Sequence, residues 1–181
     1  MKKLVVLALA VVVIAAASVA FGRNFRRLRA VLVGYEEPPP ISTVGGGEFR
    51  ARINKAETEI TYELSYSDLE STVQQAHIHF GQRGVNGGIT VFLCTNLGNG
   101  PVGTQACPPS PATIRGTITA ADVSPNIPAT LAARNQGLGT GEFGELLRAI
   151  RAGRTYVNVH TMTFPSGEVR GQVDHDSDSD H

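Results

Sequence analysis

Three of the chain's five histidines stand in two short stretches, Ala76-His77-Ile78-His79-Phe80 and Tyr156-Val157-Asn158-Val159-His160. No other part of the sequence gathers side chains able to do chemistry. Neutral imidazoles suit zinc or copper. A His-x-His pair on one strand supplies two ligands, and a third from another strand leaves an open position for water or substrate. Glu168 is the candidate fourth ligand, or a partner that orients His160. The same pattern also suits histidines that only hydrogen-bond to loops lying over a sheet. A Ser-His-Asp order, a phosphate loop and a carboxylate pair at acid–base spacing are all missing, so no catalytic residue is expected.

Alternation fixes where these side chains must point. Ala76, Ile78 and Phe80 share one face of a strand, which puts His77 and His79 on the other, roughly 7 Å apart. Val157 and Val159 face away from Tyr156, Asn158 and His160. After a turn through Pro165-Ser166-Gly167, Val169, Gly171 and Val173 oppose Glu168, Arg170 and Gln172. Symmetric pairing across this hairpin sets His160 opposite Glu168 and Asn158 opposite Arg170. All three histidines are thus expected on the outer face of a sheet, converging if their strands are neighbours.

The positioning elements are short strands. Arg27–Gly34 reads as the first, ended by Glu36-Glu37-Pro38-Pro39-Pro40, because proline cannot continue a ladder. Phe49, Ala51 and Ile53, then Ile60, Tyr62, Leu64 and Tyr66, alternate with polar residues as a half-buried hairpin. Val73–Phe80, Ile89–Cys94 and Ala112–Ile118 follow, and Ala120–Thr140 reads as a long connection. One helix is expected where Phe143, Leu146, Leu147 and Ile150 fall at helical spacing, with Gly153 as its cap. About eight strands with Gly- and Pro-rich turns and one short helix define an all-β chain. The expected architecture is an antiparallel β-sandwich or barrel, of immunoglobulin or copper-zinc superoxide dismutase type.

At 181 residues the chain suits one domain, and its zero net charge gives no support for nucleic-acid binding. Lys2 and Lys3 precede an uncharged run from Leu4 to Gly22 with small residues at cleavage spacing, the layout of a secretory signal. The run is also long enough to span a bilayer, so a membrane association is expected only if it stays uncleaved. The expected order is a signal peptide over 1–20, a basic arm over 21–27, a β domain over 28–173 and a disordered acidic tail over 174–181. Outside the cytoplasm, in a secreted, periplasmic or cell-surface setting, Cys94 and Cys107 are expected to form a disulfide worth about 3 kcal/mol.

Four motifs in order carry a resemblance: Glu37-Pro38-Pro39; Ala76-His77-Ile78-His79 with Gly81 and Val85-Asn86-Gly87; Tyr156-Val157-Asn158-Val159-His160-Thr161; and Gly167-Glu168-Val169-Arg170-Gly171-Gln172. From about Leu28 to Val173 the chain resembles the CHRD domain, the module named after chordin, in its single-domain bacterial form. The resemblance implies an extracellular β-sandwich module. In animals that module is part of chordin, which binds bone morphogenetic proteins; a lone domain behind a bacterial-looking signal does not carry that role over. What it implies here is a non-catalytic binding or structural role toward an extracytoplasmic ligand or protein. The alternative is a copper or zinc protein with redox chemistry, because His77 and His79 are similar to the outer-strand pair of copper-zinc superoxide dismutases and His160 to a late-strand copper ligand. Those enzymes use more histidines than the three this domain has outside its tail, so a full dinuclear centre is not expected.

Overall fold

The computed structural model describes residues 26–176. The expected signal peptide, most of the basic arm and residues 177–181 lie outside the described residues. Among the described residues there are nine strands: β1 Arg27–Val33, β2 Gly46–Ile53, β3 Ile60–Ser67, β4 Val73–Phe80, β5 Gly88–Thr95, β6 Ala112–Ile118, β7 Thr155–Thr161, β8 Val169–Gln172 and β9 Asp174–His175. Two short helices, α1 Leu131–Asn135 and α2 Phe143–Arg151, lie between β6 and β7. No described helix is long and apolar enough to cross a membrane.

One antiparallel sheet in the order β5-β4-β7-β8-β1-β2-β3-β6 curls until it is nearly closed as a barrel, with β9 added beside β1. The alternation seen in the sequence drives the curl. Phe49 pairs with Leu64, Ala51 with Tyr62 and Ile53 with Ile60, and all six are buried inside. Burial of each large side chain in that set stabilises the fold by roughly 1.5–3 kcal/mol, so the interior sets the register. At the seam, β5 and β6 do not pair directly. The Gln105 side-chain amide donates to Leu93 O at 3.1 Å and Arg115 O at 3.2 Å, bridging the two edges. The Cys94–Cys107 disulfide ties down the loop that carries Gln105, as the sequence leads one to expect.

The helix expected from the sequence is α2. Phe143, Leu146, Leu147 and Ile150 all join the core, and Gly153 takes φ +64° after the last turn. Two expectations need correction. Residues 120–140 contain α1, held against β5 by the bond from Gly88 N to Gln136 Oε1 at 2.7 Å and by close backbone approach. A Cβ on Gly88 would fall 2.1 Å from Ala133 N, so only glycine fits. In addition, Asp174 and His175, assigned to the tail by composition, pair with Arg29 and Leu28 of β1. Ladder hydrogen bonds hold these two residues without an apolar side chain of their own.

Candidate metal centre

β4 and β7 are adjacent, and their pairing brings the two histidine stretches together. His79 lies across from Tyr156, His77 from Asn158, and Gln75 from His160. Ala76, Ile78, Val157 and Val159 turn into the barrel core, as alternation requires. The imidazoles therefore occupy the opposite face of the sheet. That face is not exposed, however: His77 is 0%, His79 7% and His160 6% accessible. The outer face expected from alternation is covered by three segments that fold over it, as in the reading with loops lying over the sheet.

Each covering segment is fixed by a polar contact. The turn after β4 supplies Gly87 O, 2.9 Å from His79 Nδ1, and the turn before β8 supplies Pro165 O, 3.0 Å from His160 Nδ1. Glu37, in the proline-rich segment after β1, accepts from Asn158 Nδ2 at 3.4 Å. Gly167 allows this approach, since a Cβ there would lie 2.2 Å from Glu37 Oε1, and its φ of +128° also favours glycine. Arg170 secures the turn after β4: its guanidinium donates to Gln82 O at 3.0 Å and Val85 O at 2.9 Å while lying 3.3 Å from the Tyr156 ring centre. His79 stacks on the same ring at 4.7 Å and 5°. Because β7 runs between β4 and β8, Tyr156 stands between the imidazole and the guanidinium. Phe92 closes the remaining side, edge-on to His77 at 4.5 Å.

These contacts assign protons. A carbonyl only accepts, so His79 and His160 each carry hydrogen on Nδ1 and, when neutral, present a bare Nε2. Nε2 of His79 is buried without a hydrogen-bond partner, and so is Nε2 of His77. Nε2 of His160 faces His77 Nδ1 at 3.2 Å and Asn158 Oδ1 at 3.0 Å. The second contact opposes a lone pair to an amide oxygen, which is unfavourable unless a cation lies nearby or the amide turns over to present its N–H. One ring nitrogen from each of the three histidines lies within 4.8 Å of the others.

Burial keeps all three imidazoles in the ligand form. His79 is held down to about 3 and His160 to about 4, in both cases because a buried ring resists charging, against the opposing pull of the carbonyl bond. His77 is held well below its ordinary value by the same burial, reinforced by the neighbouring His160 and His79. Glu37 moves the other way, raised to about 7 by burial despite Asn158 and Arg170.

Glu168 does not join the histidines. β8 pairs with β7 through Val159–Val169 and Asn158–Arg170, as the hairpin geometry requires, but the Glu168 carboxylate turns toward Thr161. It accepts from Thr161 Oγ1 at 2.7 Å, Thr43 Oγ1 at 2.9 Å and Glu70 N at 2.9 Å. Three donors off the histidine face explain the placement, and between them they give both oxygens of a buried carboxylate a hydrogen bond. Sequence reasoning gave no role to Glu37, Tyr156 or Phe92. Glu37 and Tyr156 stand inside two of the four motifs, the one signal that pointed to them.

Fold and site together define a nearly closed antiparallel β-barrel with a buried three-histidine cluster between one sheet face and its covering loops. The chain belongs to the CHRD domain family, whose model matches residues 28–173. No curated protein and no solved structure gives a significant match.

Proposed function

We propose that this CHRD domain is an exported module that binds one zinc or copper ion through His77, His79 and His160. The observation that carries the proposal is the pair of carbonyls, Gly87 O and Pro165 O, that hold hydrogen on Nδ1 of His79 and His160 and turn each bare Nε2 inward. Backbone carbonyls orient metal-ligating histidines in this way. Spacing agrees for one pair, where two nitrogens about 2.0–2.1 Å from a tetrahedral ion are roughly 3.3–3.4 Å apart, against 3.2 Å between His77 Nδ1 and His160 Nε2; the set of three lies within 4.8 Å, and His77 Nδ1 would give up its hydrogen on binding through that atom. Neutral nitrogen donors without thiolate suit zinc or copper rather than calcium or magnesium. Three ligands leave a position for an exogenous group.

Export rests on Lys2, Lys3 and the uncharged run to Gly22, and is supported by the Cys94–Cys107 disulfide. N-terminal sequencing of the mature protein tests it: a start at residue 1 would count against a cleaved signal. For the metal, zinc and copper are titrated into untagged wild type and His77→Ala. One equivalent is expected in wild type, with affinity at least about 100-fold lower in the variant, since even outer-shell changes cost 10–100-fold. Equal, weak binding by both would eliminate the site. Superoxide turnover by the copper-loaded form would make it a redox centre, and its absence a structural or storage one.

A further inference from the structure

A recess lies beside the segments that cover the histidine cluster. It has a volume of about 240 Å³, and Pro38, Pro39, Ile41, Phe164 and Pro165 wall it, with Glu37 among them. Glu37 is 5% exposed. A carboxylate so buried is ordinarily matched by a cation or by several donors. Here the one hydrogen bond is the long one from Asn158 Nδ2 at 3.4 Å, and no described cation lies within ion-pair distance. Arg170 is the cation that acts on it electrostatically, but its guanidinium is committed to Gln82 O and Val85 O.

We propose that this recess binds a small primary ammonium ion on a short apolar body, with Glu37 as counter-ion and Ile41, Phe164 and the prolines around the apolar part. Charge selects the class: the wall is apolar apart from one acid and the Thr163 and Ser166 hydroxyls. Shape selects ammonium over guanidinium. A guanidinium fork needs both carboxylate oxygens, and Oε1 already faces Asn158 and the Gly167 backbone. The recess is also too small for more than a compact ligand. None of the three histidines lines it, although it shares Glu37 and Pro165 with the segments that cover them.

The test is an NMR titration of the full chain, following the Ile41 methyl and Phe164 ring signals at a pH above the raised Glu37 value of about 7. Hexylamine, hexanol and hexanoate serve as probes in turn. Hexylamine is expected to give saturable shifts at both residues, with affinity about ten-fold or more above hexanol and no binding of hexanoate, the discrimination that a charge-assisted contact gives. Glu37→Gln keeps the side-chain size and the Asn158 contact, and is expected to remove the preference for the amine. Equal binding of amine and alcohol in wild type, an unchanged preference in the variant, or no shift with hexylamine would overturn the proposal. The wild-type series decides the matter even if the variant folds poorly.

Discussion

Nδ1 of His77 and Nε2 of His160 stand 3.2 Å apart although the residues are 83 positions apart in sequence. Among the described residues no other two ring nitrogens of these histidines are hydrogen-bonded to each other, and the pairing depends on β4 and β7 being neighbours. Under the proposed function the same contact would serve as a ligand edge in place of a hydrogen bond, with Pro165 O orienting the His160 ring in either case. That double capacity has consequences for stability, for the covering loops and for metal affinity.

The metal-free protein is expected to lose stability in acid over a defined window. Folded His79 and His160 titrate near 3 and 4, and His77 well below 6.5. Their contribution is complete above about 6.5 and is lost as the pH falls through the folded values. Glu37, raised from 4.5 to about 7, acts in reverse: its contribution is complete below 4.5 and lost as the pH rises through 7. Between these limits unfolding charges three imidazoles and releases one carboxyl proton. The net uptake of two protons lowers stability by on the order of 2–3 kcal/mol per pH unit. Urea melts at stepped pH measure this, and a flat profile between 6.5 and 4.5 would contradict it.

Glu168→Ala is expected to cost stability without changing metal affinity. It strands the buried Thr161 hydroxyl and removes the acceptor of the part-buried Thr43 hydroxyl and Glu70 N–H, a loss of roughly 1–3 kcal/mol. Denaturant melts and zinc titration on the same sample check both halves. A fall in zinc affinity at temperatures where the variant stays folded would restore Glu168 as a ligand or an orienting partner.

Much of the fold was legible because alternation speaks directly. Phe49 to Ile53 and Ile60 to Tyr66 gave a hairpin with its inner face, and Val157 and Val159 gave the inner face of β7. Alternation also separated His77 and His79 from the core. It could not show that this face is roofed, because the roof is made of loops whose contacts run through backbone carbonyls, as at Gly87 and Pro165. Glu168 was misdirected for a related reason. Position across a hairpin suggests a neighbour, but nearby donors decide where a carboxylate turns, and two of its three, Thr43 and Glu70, are distant in sequence. α1 is five residues long, too short for helical periodicity to register.

Arg170→Lys is expected to loosen the turn after β4. Lysine offers a point charge in place of a planar fork and cannot both lie over Tyr156 and reach two carbonyls in the same way. A loss of about 1–3 kcal/mol is expected, with zinc affinity lowered about ten-fold through the displaced Gly87 carbonyl. Hydrogen exchange across residues 81–87 together with zinc titration measures both effects. Unchanged exchange and affinity would remove Arg170 from the support of the site.

Replacing Cys94 and Cys107 together by alanine is expected to cost about 3 kcal/mol. The loop that delivers Gln105 to Leu93 O and Arg115 O is freed, so protection of β5 and β6 amides is expected to fall first. Uniform loss of protection across all strands would argue against a local role at the seam.

The most direct measurement is a long-range proton–nitrogen correlation spectrum of the histidine rings, taken before and after an equimolar addition of zinc. Without metal, His79 and His160 are expected as Nδ1–H tautomers, each with a bare Nε2. With zinc, Nε2 of both and one ring nitrogen of His77 are expected to shift together and saturate at one ion per chain. Nε2–H tautomers at His79 or His160 without metal, or rings left unmoved by zinc, would contradict a metal centre at these three residues.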